Sequence, residues 1–187
     1  IVSRFTAQKG CDLLFDVLPS LLARRNACFV ALGSGDPIYE QFFMLLQKRF
    51  PARVVFHRGY SEEMAHWIEA CSDIFVMPSL FEGYGMVLAE ALARGLPILC
   101  TTGGAAAETV PDDAAIKVAP GDAAAFAAGL KKLMTDRKLR KRLEGASWAA
   151  GRKLPTWHET ARRIFIAVTG MGAQTLTASP GGTPPNG

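Results

Sequence analysis

The sequence is short of most features that decide a function on their own. Charged residues make up only 20% of the 187, which is too few for a disordered, charge-driven segment or a nucleic-acid-binding tail. No apolar run approaches the roughly 20 residues that a helix needs to cross a bilayer, so an integral membrane protein is not expected. The three histidines, His57, His66 and His158, show no ligand spacing. The four cysteines, at 11, 28, 71 and 100, fit neither a paired zinc motif nor a redox Cys-x-x-Cys. They read as small buried apolar residues in a reducing compartment, and neither a metal site nor a cofactor is expected. Initiator methionine and signal-peptide pattern are both missing, because Ile1-Val2 already lies in an apolar run. The chain therefore reads as a cytoplasmic fragment of something longer.

What is present is a good supply of core. Hydrophobic residues are 49% of the chain, enough for one well-buried core and too few for two. Apolar runs at 1–4, 28–32, 53–57, 74–77, 97–100 and 115–118 are too continuous for half-exposed strands and suit a parallel sheet covered on both faces. After Asp12, the residues Leu13, Leu14, Val17, Leu18, Leu21 and Leu22 fall at helical spacing, with Pro19 expected to bend or interrupt that helix. Further helices are expected at 38–49, 62–71, 86–94, 105–110, 123–135, 137–150 and 157–168, with Asp122 as a cap. Six strands alternating with helices predict an α/β fold, a doubly wound, Rossmann-like parallel sheet forming one domain over 1–168. Residues 169–187, rich in Gly, Pro, Thr and Ser, are expected to be a disordered tail.

In such a sheet, ligands bind beyond the carboxyl ends of the strands. The loops there are 3–10, 33–36, 58–61, 78–85 and 101–104, most of them carrying glycines that let a ligand approach the backbone. They suit a nucleotide diphosphate. In "SLFEGYGMVLAEALARG" (79–95), Gly83, Tyr84 and Gly85 precede a helix whose free N–H groups favour an anion. Glu82 stands in the loop and Glu90 in the helix, off the apolar stripe of Val87, Leu88, Ala91 and Leu92. From spacing alone, a solvated helix start is the commoner explanation for two such glutamates. Turn chemistry likewise accounts for Gly33-Ser34-Gly35-Asp36.

A resemblance over residues 1–168 adds to this reading. "SLFEGYGMVLAEALARGLPIL" is similar to the E-x7-E segment of retaining GT-B glycosyltransferases, and "VSRFTAQKGCDLL", "LGSGDPIYE" and "HRGYSEEMAHWI" resemble the donor domain of bacterial glycogen and starch synthases. The later motif departs from that branch, which has Glu-Pro-Cys-Gly-Leu and generally lacks the second glutamate. With "TTGGAAAETVPDDAAIKVAPGD", it looks more like the family of sucrose-phosphate synthases and bacterial mannosyl- and glucosyltransferases. A divergent natural member and a mosaic both fit that mixture.

The resemblance implies the donor-binding half of a retaining hexosyltransferase that uses an ADP-, UDP- or GDP-sugar. It implies a glycan or other acceptor held by an N-terminal domain that does not precede Val2-Ser3-Arg4 here, and hence no transfer by this chain alone. Arg4 and Lys9 would contact the diphosphate without a metal, and Glu82 would bind sugar hydroxyls and steady charge at the anomeric carbon. Glu90 would hold the ribose, and Gly83, Tyr84 and Gly85 would offer backbone N–H groups. Tyr60 would lie beside the base or simply pack in its loop. The alternatives are a non-catalytic nucleotide-sugar-binding module and a GT-B-like epimerase. The cations Lys131, Lys132, Arg137, Lys138, Arg140, Lys141 and Arg142 form a run that ordinarily marks a solvated helix, with membrane-surface contact as the other reading. Nucleic-acid binding is not expected, since no recognition module is present.

Overall fold

The computed structural model describes residues 1–170; the expected tail beyond Gly170 lies outside the described residues. Two compact units are present, Ile1–Lys153 and a second one from Leu154. The first alternates strands and helices: α1 (Asp12–Arg24), β1 (Phe29–Gly33), α2 (Pro37–Arg49), β2 (Val54–Arg58), α3 (Glu62–Cys71) and β3 (Phe75–Met77), then α4 (Met86–Ala93), β4 (Ile98–Thr101), α5 (Ala106–Thr109), β5 (Ala115–Val118), α6 (Ala123–Thr135) and α7 (Arg137–Gly151). The second contains α8 (Trp157–Thr169).

All strand pairings are parallel. β1 pairs with β2 from Phe29↔Val54 to Gly33↔Arg58, and β4 lies between β3 and β5. The run at 1–4 is not a regular strand; it makes two isolated parallel bridges, Val2↔Leu32 and Phe5↔Gly35. Leu32 N donates to Ile1 O, Ser3 N to Leu32 O and Phe5 N to Ser34 O. The pairing thus continues past residue 4, but it breaks at Gly33, whose φ of 154° leaves the strand conformation.

The strands form two sheets, β1-β2 and β3-β4-β5. Helices cover both faces at β1, β3 and β4, but β2 is exposed at Val55, His57 and Arg58, so the run at 53–57 is not covered on both faces as expected; it is an edge strand of its sheet. Successive strand residues point to opposite sides. Ala31 joins a core of Phe5, Leu14, Leu18, Phe43, Val54, Leu99, Phe126 and Leu133, supplied by α1, α2 and α6, while its neighbour Leu32 packs with Val2 and Ala65, backed by Met64 and Ile68 of α3. This is the doubly wound, Rossmann-like arrangement. Around Phe43 the first core is aromatic, with Phe5 4.8 Å and Phe42 5.2 Å away between ring centroids.

Local chemistry sets the helix ends. Ser61, Asp122 and Asp136 accept from the backbone N–H groups of Met64, Ala125 and Leu139 at the starts of α3, α6 and α7. α1 runs unbroken through Pro19, so that proline does not interrupt it. Within the second unit, Thr156 caps α8 at Glu159 N, Glu159 and Arg163 pair at 2.6 Å, and Gly170 closes the helix in the left-handed conformation.

One expectation about side chains needs correction. Cys11 and Cys100 are buried, but Cys28 and Cys71 are exposed, because each stands at the end of an element rather than in its core face. The cations of α6 and α7 are largely at the surface; Lys141 pairs with Glu144 and Arg140 donates to the carbonyls of Leu133 and Met134, tying α7 to the end of α6. Among the described residues no helix is long and apolar enough to cross a membrane.

Candidate functional site

Three loops meet where the strands end. The first is the 3–10 segment, in which Ala7–Lys9 form a single 3-10 turn closed by Gly10 at φ 63°. A Cβ on Gly10 would lie 2.0 Å from the Pro78 carbonyl oxygen, so only glycine lets this loop sit directly on the one that follows β3. Leu80 N donates to Gln8 O at 2.8 Å, and Gln8 Nε2 donates to Phe81 O at 3.2 Å. These contacts bring Lys9 to Glu82 across 73 positions of sequence, and the Lys9 ammonium lies 2.6 Å from Glu82 Oε2.

The second loop, Pro78 to Gly85, is held from the other side by the third. Glu82 forms a parallel bridge with Gly104. Its N–H donates to Gly103 O at 3.2 Å and its carbonyl accepts from Ala105 N at 2.8 Å. Gly104 has φ 65°, and a Cβ there would lie 2.2 Å from the Glu82 carbonyl oxygen. Beneath them Ser79 and Thr101 are fully buried. The Thr101 hydroxyl donates to Ser79 O, and the Ser79 hydroxyl donates to Glu82 Oε2 at 3.4 Å.

Glu82 is therefore no solvated surface glutamate. It is 9% exposed, its ion-pair partner Lys9 is 14% exposed in its side chain, and both backbone groups are bonded. A carboxylate taken this far from water needs a compensating charge, which Lys9 supplies. The pair also leaves a neutral unit facing the end of α4. That helix begins at Gly85, with φ 80°, and has no side-chain cap, like α1, α2 and α5 and unlike α3, α6 and α7. Its first N–H groups and positive dipole end are thus left for an anion.

The remaining predicted residues fall around this point with different degrees of engagement. Arg4 is exposed and makes no ion pair among the described residues. Gly83 is exposed, and a Cβ on it would meet nothing within 4 Å. Tyr84 is half exposed, with its carbonyl accepting from Thr109 Oγ1 at 2.6 Å. Glu90, half-buried on α4, makes no hydrogen bond through its carboxylate among the described residues. Tyr60, 75% exposed, follows β2 in a loop of its own and does not pack there. Gly33-Ser34-Gly35-Asp36 is accounted for locally: Asp36 N donates to Phe5 O at 2.7 Å, Gly35 lies against that same carbonyl, and Gly35 N donates to Glu40 Oε1 at 3.0 Å. Glu40, 5% exposed, also pairs with Arg58 at 2.8 Å.

Sequence reasoning placed Ser79 and Thr101 in the loops at the strand ends but gave neither a role, because a hydroxyl's direction cannot be read from its type. It also missed a third buried carboxylate, beside Glu82 and Glu40. Glu69 on α3 is 1% exposed, neither of its oxygens has a hydrogen-bond partner, and Arg94 lies 3.0 Å away without hydrogen-bond geometry. Burial raises its pKa, Arg94 opposes the rise and Glu90 adds to it. Among the described residues no group of three or more His, Cys, Asp or Glu could hold a metal ion.

Comparison with known proteins places this parallel α/β domain among the glycosyltransferases. The family model for the group 1 glycosyl transferases matches residues 1–136, and the chain belongs to that family. Among curated proteins it is 40% identical to glycogen synthase 2 of Agrobacterium fabrum, over 95% of this chain and 37% of that protein. It is 38% identical to the glycogen synthase of Hydrogenovibrio crunogenus, over 67% of this chain and 26% of that protein. The match thus spans about a quarter to two fifths of these relatives' length. Solved structures share the fold: Anabaena Alr3699/HepE in complex with UDP-glucose at TM-score 0.77 and 19% identity, covering 91% of this chain and 48% of that one. Sucrose-phosphate synthase from Thermosynechococcus elongatus matches at TM-score 0.71 and 22% identity, covering 89% and 45%.

Proposed function

We propose that this chain is the nucleotide-sugar-binding domain of a retaining, glycogen-synthase-like hexosyltransferase of the cytoplasm. The observation that carries the reading is the Lys9–Glu82 pair, 2.6 Å apart, beside the uncapped start of α4. Lys9, Arg4 and the free N–H groups from Gly83 onward take the donor diphosphate and stabilise it as the leaving group when the glycosidic bond breaks. They do so without a metal ion. Glu82 accepts from hydroxyls of the transferred sugar and offsets positive charge developing at the anomeric carbon. Glu90, whose carboxylate makes no hydrogen bond among the described residues, accepts from the ribose hydroxyls. Tyr60, exposed at the end of β2, lies beside the base.

The likeness to glycogen synthases supports a glycan as the acceptor, bound by parts of the longer protein that correspond to the unmatched two thirds or more of those relatives. One wall of a cleft cannot hold donor and acceptor in reactive geometry. This chain alone binds donor and does not transfer it.

Calorimetry in EDTA with ADP, UDP, GDP and their glucose conjugates tests the reading. Binding of at least one diphosphate at millimolar or lower concentration is expected. Glu90→Gln then weakens the bare diphosphate roughly tenfold, the cost of losing a charged acceptor worth about 1.5–3 kcal/mol. Glu82→Gln leaves the bare diphosphate alone and weakens only the nucleotide sugar. Absence of binding by a folded sample, or affinities unchanged in both variants, overturns the proposal.

A further inference from the structure

Glu82 has two carboxylate oxygens, and the protein treats them differently. Oε2 receives both the Lys9 ammonium at 2.6 Å and the Ser79 hydroxyl at 3.4 Å, while Oε1 makes no hydrogen bond among the described residues. Lysine carries a point charge with rotatable donors and has no preference between two equivalent oxygens. An ammonium by itself would let the carboxylate turn and share both. The Ser79 hydroxyl breaks that equivalence, because it reaches only one oxygen from a fixed place.

That place is fixed from beneath. Ser79 and Thr101 are both fully buried, and the Thr101 hydroxyl donates to the Ser79 carbonyl at the end of β4. Thr101 lies in a strand whose pairing with β5 fixes its register, Thr101↔Val118. The backbone of Glu82 is held by Gly103 and Ala105 of the loop that continues from the same strand. Carboxylate orientation is thus referred to β4, the middle strand of its sheet, rather than to the flexible Lys9 side chain.

We infer that Ser79 and Thr101 are positioning residues for Glu82: they assign Oε2 to Lys9 and keep Oε1 as the oxygen that accepts a hydroxyl of the bound sugar. The inference rests on the donor-binding reading above. It makes sugar recognition depend on a hydroxyl that never touches the sugar, and it leaves diphosphate recognition untouched.

The test is calorimetry of the chain with UDP-glucose and ADP-glucose, each against its bare diphosphate, for Ser79→Ala, Thr101→Val, Thr101→Ser and Glu82→Gln. Ser79→Ala and Thr101→Val are expected to bind bare diphosphate within about twofold of the parent and nucleotide sugar roughly three- to tenfold more weakly, the scale of one ordinary hydrogen bond. Thr101→Ser keeps the hydroxyl and is expected to restore parent behaviour. A purely structural role would lower both affinities together, and that result overturns the inference. So does an intact sugar preference in Ser79→Ala when Glu82→Gln has lost it. If Glu82→Gln changes nothing, the donor-binding role of Glu82 itself fails. A crystal structure of the Ser79→Ala chain decides the positioning role separately: a carboxylate rotated to share Lys9 between both oxygens supports it, and an unchanged orientation overturns it.

Discussion

Replacing Lys9 by methionine removes an ammonium and keeps most of the stem. The consequence for stability can be bracketed from two limits. Pairs at the surface contribute about 0.2–1 kcal/mol, whereas removing one partner of a fully buried pair costs about 3–5 kcal/mol because the other charge is stranded. With side chains 14% and 12% exposed, Lys9 and Glu82 stand much nearer the second limit. The Ser79 hydroxyl, at 3.4 Å, remains as the one donor to the orphaned Oε2 and offsets a small part of the loss. Lys9→Met is expected to cost about 2–3 kcal/mol. Glu82→Gln strands the ammonium instead and is expected to cost about 1–2 kcal/mol, since Lys9 reaches solvent more easily along its flexible stem.

The double variant carries the argument. With both charges gone there is nothing left to strand, so Lys9→Met with Glu82→Gln should be more stable than the sum of the single losses implies. Their coupling should be about 1–2 kcal/mol. Urea unfolding of the four proteins at neutral pH, with a common slope as evidence that the unfolded states match, measures it. Additivity within about 0.5 kcal/mol would refute the reasoning, and Glu82 would then be held chiefly by its backbone bonds to Gly103 and Ala105.

Gly104→Ala places a Cβ 2.2 Å from a backbone oxygen at φ 65° and should destabilise the chain by at least about 2 kcal/mol while weakening nucleotide-sugar binding; denaturation and calorimetry on one sample check both. Of the four thiols, Cys28 and Cys71 should react rapidly with a disulfide reagent. Cys11 and Cys100, buried and with thiol pKa values raised by burial to about 12 and about 11, should react only on unfolding. Burial lifts the Glu69 carboxyl above its ordinary 4.5, so the folded chain keeps a proton that the unfolded chain has released. The stability this contributes is present below the unfolded value and is lost as pH rises through the folded one. Glu69→Gln should therefore flatten the fall in stability as pH rises from about 4.5, as read from melting temperature against pH.

The alternation of apolar runs and helical spacing made the fold legible, because a strand buried on both faces must be apolar throughout, as β3 and β4 are; β2, exposed at Val55, His57 and Arg58, was placed by the same alternation although it is not covered on both faces. The run that forms no regular strand is instructive. Residues 1–4 have the composition of a strand, yet whether a ladder forms depends on the partner's backbone, and Gly33 breaks it. The caps of α3, α6 and α7 were equally local and equally readable. Long-range polar partners were not. Nothing at Lys9 indicates that its charge meets Glu82 rather than solvent, since the encounter is created by how closely Gly10 lets one loop settle on another. Ser79 and Thr101 have hydroxyls whose direction, not type, gives them their place in the site. Glu69 is the opposite case, a charged residue on a helix face that spacing assigns to water and packing assigns to the interior.

Two glycine contacts build the site from backbone groups. Gly10 seats the 3–10 loop on Pro78, and Gly104 seats the loop after β4 on Glu82, so the Glu82 loop is gripped from both sides by backbone groups rather than by side chains. Backbone bonds of this kind lose little entropy when a ligand arrives, because the groups are already fixed. A site formed in this way meets its donor with Glu82 in place and with Lys9 neutralised. On the proposed function, the diphosphate shares the ammonium with Glu82. Sharing is open to it because Lys9 has three donors and Glu82 Oε2 uses one of them. On the donor-binding proposal, Lys9 links the two halves of the donor: the ammonium proposed to meet the leaving diphosphate holds the carboxylate proposed to face the sugar. Charge developing on the diphosphate as the bond breaks would then weaken the hold of Lys9 on Glu82 and leave that carboxylate more negative as positive charge grows at the anomeric carbon.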